Sequence, residues 1–117
     1  MEKEIFSKFK SCLAYDVANL ATVKIIDSET KELVATVKMR PLSYGELTEN
    51  LSALSTNPSE LLYLSILEWD IKDENGIIPP TKNAVANLTA QIGLGLLEAF
   101  RQINLLSEVE EKNSVNQ

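Results

Sequence analysis

Apolar side chains recur at nearly every fourth position at the start of the chain. Between residues 3 and 20 they occur at Ile5, Phe9, Leu13, Val17 and Leu20. This spacing places them on one side of a helix, because an α-helix completes a turn in about 3.6 residues. The pattern therefore predicts an amphipathic N-terminal helix over residues 3–20.

The period then changes from that of a helix to that of a strand. Apolar positions alternate with polar or small ones at Val23, Ile25, Leu33, Ala35, Val37 and Met39. A polar segment from Asp27 to Glu32 separates the two runs and is typical of a turn. We expect a β-hairpin over residues 22–40. Because an isolated hairpin is marginally stable in water, it must pack on helices or pair with another chain.

Two helices are predicted after the hairpin, each with its own start signal. Ser43 and Glu46 have the spacing of a capping box, which predicts a short helix over residues 44–54. The leucines expected on its buried side are Leu47, Leu51 and Leu54. An Asn-Pro pair at residues 57–58 opens a second helix over 58–70, which is apolar on most sides. Such a helix is central to a core or is covered by a partner.

The last predicted helix covers residues 82–106, after a double proline and the capping residue Thr81. Its main apolar stripe consists of Val85, Leu88, Ile92, Leu96, Phe100 and Ile103. Gly93 and Gly95 lie inside it, although each glycine costs about 1 kcal/mol of helix stability relative to alanine. They indicate either the close approach of another backbone or a bend.

Together these elements predict an α+β fold that is mainly α: an N-terminal helix, a β-hairpin and three further helices. Residues 1–107 are expected to form a single globular domain. The polar segment 108–117 is predicted to be a disordered tail.

The net charge restricts the kinds of partner that the chain can bind. The 117 residues carry a net charge of −6 and include no histidine. An acidic chain without a basic run is a poor candidate for binding nucleic acid or an anionic membrane surface. We therefore expect neither among its partners.

The single cysteine, Cys12, cannot form an internal disulfide, and its apolar neighbours favour a small core thiol.

The sequence offers little for catalysis. Without histidine, Ser-His and Cys-His nucleophilic pairs and Cys/His zinc sites are excluded. Asp70 and Asp73 form either a carboxylate site or, as we favour, part of a solvated turn. A calcium loop around Gly76 fails, because Ile71 and Lys82 occupy its first and last ligand positions. We expect no enzymatic activity, no cofactor and no metal.

Two segments resemble the tail assembly chaperones of long-tailed bacteriophages. In the first, Val37 to Glu46, a strand ends in a basic residue and runs into a Leu-Ser-x-x-Glu helix start. The second, Trp69 to Thr81, contains a tryptophan, an acidic Asp-x-x-Gly turn and a proline-threonine step. With the last helix, the resemblance extends over residues 37–106, and the N-terminal helix has no part in it.

The resemblance implies a non-enzymatic protein of the host cytoplasm. Such proteins bind the tape measure protein, keep it soluble and help to recruit the tail tube protein around it. Self-association along that client is compatible with this role. The candidate partner-binding residues are Leu61, Leu64, Trp69, Leu94, Leu97 and Leu105. These side chains either fill one core or supply exposed apolar patches.

An alternative function remains open at this point. A small structural tail or connector protein would stay in the virion, with its hairpin joined to an intersubunit sheet.

Overall fold

Three antiparallel strands and a long C-terminal helix organise the chain, which the computed structural model describes over residues 2–5 and 9–104. In chain order, the elements are β1 Ala21–Ile26, β2 Leu33–Met39, α1 Tyr44–Glu49, α2 Ala53–Thr56, α3 Pro58–Ser65, β3 Ile66–Trp69, β4 Lys72–Asp73, β5 Gly76–Ile77, α4 Lys82–Ala86 and α5 Ala90–Ile103. In the described residues the first three strands form one sheet and β4 and β5 a second, so the fold class is α+β.

The predicted β-hairpin is confirmed as β1 and β2. The strands pair in an antiparallel register that sets Val23 opposite Val37. The side chain of Asp27 shapes the turn, because its Oδ1 accepts hydrogen bonds from the backbone N–H groups of Glu29 (2.8 Å) and Thr30 (2.9 Å). These two bonds, first that from Thr30, lower the pKa of the Asp27 carboxyl.

The helix predicted over residues 58–70 is wrong beyond Ser65. The chain continues there as β3, which pairs with β2 and sets Trp69 opposite Val37. Two hydrogen bonds attach the junction to the end of β2. The backbone N–H of Arg40 donates to the Ser65 carbonyl (2.9 Å), and the Ser65 hydroxyl donates to the Arg40 carbonyl (2.6 Å). Strand pairing with a distant segment therefore overrides the local helical pattern.

The core lies between the three-stranded sheet and the helices α3 and α5. Val37 and Met39 on β2, Leu61 on α3 and Phe100 on α5 are each fully buried. Further members of the same cluster are Leu42, Ala53, Leu62, Ile66, Trp69, Val85 and Leu96. The sheet thus buries one face against a helical layer, which is the usual way to shield an apolar sheet face from water.

Trp69 joins the sheet to the segment that leads into α4. Its side chain is 7% exposed, and its Nε1–H donates to the carbonyl of Ile78 (2.6 Å). Between these residues, β4 and β5 form a small antiparallel pair whose turn contains Gly76 at φ +119°. The predicted acidic turn is therefore confirmed, and the hydrogen bond from Trp69 to Ile78 fixes its position.

The predicted N-terminal helix is contradicted. In the described part of residues 3–20 the only helical element is a 3₁₀ turn at Val17–Asn19, and residues 6–8 lie outside the described residues. The buried Asn19 side chain binds backbone groups instead: Nδ2 donates to the carbonyls of Ser11 and Leu13 (3.0 Å each), and Oδ1 accepts from the Ser11 N–H. Such side-chain bonds compete with a helix. Cys12 is exposed here, so the predicted core thiol is wrong.

The helix predicted over residues 44–54 is divided into α1 and α2. The capping box is present: Ser43 Oγ accepts from the Glu46 N–H, and the Glu46 carboxylate accepts from the Ser43 N–H. After α1 the chain makes a turn at Leu51, whose side chain is 55% exposed rather than buried.

The helix predicted over residues 82–106 is interrupted and forms α4 and α5. Thr81 caps α4, as expected, and Thr89 caps α5 by accepting the Ile92 N–H on its hydroxyl (3.4 Å). Outside the adjoining turns of α5, no described atom lies within 4 Å of the position that a Cβ would take at Gly93 or Gly95. The close approach of another backbone, one of the two explanations considered for these glycines, is therefore absent from the described residues. The predicted tail over 108–117 lies outside them.

The hydrogen bond of Trp69 yields a prediction about stability. Trp69→Phe removes the Nε1–H donor and part of the buried volume, so the free energy of unfolding should fall by about 2 kcal/mol. Urea denaturation measures the change. Tyr44→Phe is the control, because Tyr44 is 85% exposed and its loss should cost less than about 0.5 kcal/mol. Equal effects of the two substitutions would contradict the role given to Trp69.

Candidate interaction surface

The candidate partner-binding residues fall into different environments. Leu61 is fully buried and Trp69 is 7% exposed, so both belong to the core. Leu64 and Leu97 are half-buried and pack against that core. Leu94 is 66% exposed, and Leu105 lies outside the described residues. Of the five that the structure describes, Leu94 alone is exposed.

Leu94 and Leu97 line a shallow groove between the start of α3 and the first turns of α5. This α3–α5 groove has a volume of about 320 Å³. Its other apolar lining residues include Pro58, Leu62, Ala90 and Gly93. Because Ala90 and Gly93 have little or no side chain, a partner can approach the α5 backbone closely at this point. The groove therefore combines one large exposed side chain with a low floor.

A second, larger groove lies between the β-hairpin, the segment from β3 to α4, and the corner between α4 and α5. This hairpin groove has a volume of about 730 Å³. Its apolar lining residues include Ile25, Ala35, Ile71, Ile78, Leu88 and Ile92. At the outer end of the hairpin, Ile26, Leu33 and Val34 are each more than half exposed. Of these three, Val34 lines the groove, so the apolar surface of the groove includes one exposed side chain near the end of the hairpin.

The interruption between α4 and α5 produces both grooves. Leu88 and Thr89, which form this corner, line the α3–α5 groove on one side and the hairpin groove on the other. The sequence contains a signal for the corner, because Thr89 is a favoured N-cap residue in front of an apolar helix. The apolar stripe runs from Val85 to Ile103 across this corner, so its spacing predicts one continuous helix capped at Thr81.

The carboxylates considered for catalysis are held by backbone donors. Asp70 Oδ1 accepts from the Thr36 N–H (2.6 Å), and Asp73 Oδ1 accepts from the Asn75 N–H (2.8 Å). In the described residues no group of three or more His, Cys, Asp or Glu side chains has the arrangement to hold a metal ion. Asp70 therefore supports the pairing of β2 with the end of β3, and Asp73 shapes the β4–β5 turn.

An ion pair fixes the junction between β2 and α1, which lies in the first segment that resembles the chaperone family, Val37 to Glu46. Arg40 donates two hydrogen bonds to the Glu46 carboxylate, at 2.8 and 2.7 Å, and both side chains are largely shielded from solvent. The hydrogen bonds from Arg40, followed by those from Ser43, lower the pKa of Glu46 from 4.5 to about 2. This arrangement positions α1 against the end of β2.

None of the helices in the described part of the chain is long and apolar enough to cross a membrane. Comparison with the profiles of known families, with curated proteins and with solved structures finds no match.

The Arg40–Glu46 pair yields a prediction about pH. Because the folded pKa of Glu46 lies below its usual value, the pair stabilises the fold above about pH 4.5, and this contribution is lost as pH falls toward 2. Glu46→Gln should therefore reduce the free energy of unfolding by about 1 kcal/mol at pH 7. The difference from the unmodified chain should shrink below pH 4.5.

Chemical denaturation between pH 2 and pH 7 measures this difference. Glu49→Gln is the matched control, because Glu49 is an exposed glutamate on the same helix. A Glu46→Gln effect that stays constant across the pH range would contradict the assignment.

Proposed function

We propose that this chain is a non-enzymatic tail assembly chaperone that binds helical segments of a tape measure protein. In this role it acts in the host cytoplasm and helps to recruit the tail tube protein. The observation that carries the proposal is Leu94, a large apolar side chain that is 66% exposed beside the α3–α5 groove. A small acidic domain that keeps such a surface in water is suited to hold an apolar partner.

The shape of the α3–α5 groove supports a helical partner. Helices bind in grooves through apolar residues at positions i, i+3, i+4 and i+7, which form a single stripe. Leu94 stands at the edge of the groove, and Gly93 and Ala90 lower its floor. A tape measure protein is a long, helical client with many such stripes. The net charge of −6 keeps the chain itself soluble while this surface is exposed.

In this chain, the two segments that resemble the family stabilise the fold. Arg40 and Glu46 fix the start of α1, and Trp69 holds the connection to α4 through Ile78. Their contacts are internal, so they support the proposal only by likeness of sequence. The client contacts are assigned to the apolar surface on α5.

A second candidate function has its own observation. β1 lies at the edge of the three-stranded sheet, and no strand in the described residues pairs with its outer side. An open edge of this kind can add a strand from a neighbouring subunit. A structural tail or connector protein would use β1 in this way and would remain in the virion.

The proposal predicts the outcome of co-expression with a tape measure protein. The unmodified chain should raise the soluble yield of that protein, and Leu94→Asp should abolish most of the increase. Burying a leucine contributes about 1.5–3 kcal/mol, so its loss corresponds to a roughly tenfold or greater loss of affinity. Leu94 is a better choice than Leu97, because the half-buried Leu97 also supports the core.

Leu51→Asp is the matched control, because Leu51 is 55% exposed in the turn between α1 and α2. It should keep the full effect on the soluble yield, and both variants should unfold at the same denaturant concentration as the parent. An unchanged yield with the unmodified chain would contradict the proposal.

Mass spectrometry of purified particles separates the two candidate functions. A chaperone is absent from the finished particle, whereas a structural component is present in stoichiometric amount. Its stoichiometric presence would reject the chaperone and favour the use of the β1 edge.

A further inference from the structure

We infer that the hairpin groove is a docking site for an amphipathic helix whose apolar face is flanked by basic residues. This site is separate from the α3–α5 groove, and the inference stands whether or not the client there is a tape measure protein. Three observations support it: an incompletely covered sheet face, an open groove and two acidic turns at its borders.

The first observation is the uneven cover of the β-hairpin. At its base, Val37 and Met39 are fully buried beneath the helical layer. Toward its outer end, Ile25 is half-buried, and Val34, which also lines the groove, is 60% exposed. Ala84 of α4 and Ile92 in the first turn of α5 line the helical side of the groove and leave Val34 exposed. A helix from a partner would extend this layer beneath the uncovered part of the hairpin.

The second observation is that the groove is open along one side. Thr81, Asn83 and Asn87 line its rim and are exposed. A pocket that binds a small ligand typically buries roughly 70–90% or more of the ligand's surface. An open groove cannot enclose a small ligand to that extent. An amphipathic helix needs only its apolar face covered and leaves its polar face in water. The open shape therefore favours a helix over a small molecule.

The third observation concerns charge at the borders of the groove. The hairpin turn, which directly follows the strand carrying Ile25, contains Asp27, Glu29 and Glu32. The β4–β5 turn, next to the lining residue Lys72, contains Asp73 and Glu74. All five side chains are exposed, and none takes part in the ion pairs seen in the described residues. Lys31 and Lys72 only partly offset them.

These carboxylates, which have no ion-pair partner in the part of the chain that the structure describes, favour a basic partner. Charges at the rim of an apolar site act mainly by steering the partner and by rejecting like charge. A helix with lysine or arginine beside its apolar stripe would place positive charge near both acidic turns. A helix with glutamate in those positions would be repelled. Specificity for basic amphipathic helices follows from this combination of an apolar floor and acidic borders.

Two synthetic helices provide the test. Each has about 18 residues, long enough for a helix to persist on binding, and both have the same leucine stripe. One has lysine and the other glutamate beside the stripe. Methyl NMR titration of the full chain should show shifts concentrated at Ile25, Ile71 and Ile92 with the lysine peptide. The lysine peptide should bind at least about tenfold more tightly than the glutamate peptide at low salt.

A pair of variants of the chain locates the site. Val34→Lys replaces an apolar side chain at the outer end of the groove with a positive charge and should weaken binding of the lysine peptide about tenfold or more. Leu51→Lys makes the same kind of change at a residue that does not line the groove. The two positions are similarly exposed, 60% and 55%, so both variants should fold, and Leu51→Lys should leave the affinity unchanged.

Three results would overturn the inference. They are equal affinity for the two peptides, equal weakening by Val34→Lys and Leu51→Lys, and methyl shifts that avoid the hairpin groove.

Discussion

The described fold depends on the pairing of β2 with β3. β2 is the central strand, and its inward side chains Val37 and Met39 are covered on one face by α3 and α5. This arrangement requires the chain to leave α3 at Ser65 and turn directly into a strand. The two hydrogen bonds between Ser65 and Arg40 fix that point, because they satisfy buried polar groups that would otherwise lose their contact with water. Trp69 then lies on the sheet and binds the carbonyl that precedes the double proline.

The exposed surfaces follow from the same constraint. Once β3 has fixed the base of the sheet, α5 covers that base, and the apolar side chains at the outer end of the β-hairpin stay exposed. The corner at Leu88 and Thr89 separates α4 from α5 and divides the uncovered apolar surface into two grooves. One groove contains the exposed Leu94, and the other is bordered by acidic turns. Both proposed docking surfaces are therefore consequences of how the core is closed, and neither requires a catalytic group.

Local signals predicted the features that local interactions decide. Alternation gave the hairpin, and the Ser43 capping box gave the start of α1. The strand β3 could not be predicted in this way, because the local pattern before Trp69 is that of a helix apolar on most sides. Pairing with β2, which is distant in sequence, overrides that pattern. The helix prediction for the N-terminal segment is wrong for a related reason, because the Asn19 side chain binds backbone carbonyls that a helix would use. For the candidate site, the sequence identified Leu94 as a residue outside the apolar stripe of the last predicted helix. The groove beside Leu94 depends on the corner at Thr89, which the sequence prediction did not include.

The most direct test of this account is a nuclear Overhauser experiment on the segment from Ile66 to Trp69. We predict cross-strand contacts between the backbone protons of Trp69 and Val37, in the antiparallel register given by the structure. Sequential contacts typical of a helix should end at Ser65. Helical contacts that continue through Trp69, without contacts to β2, would contradict the central claim that β3 pairing organises the fold.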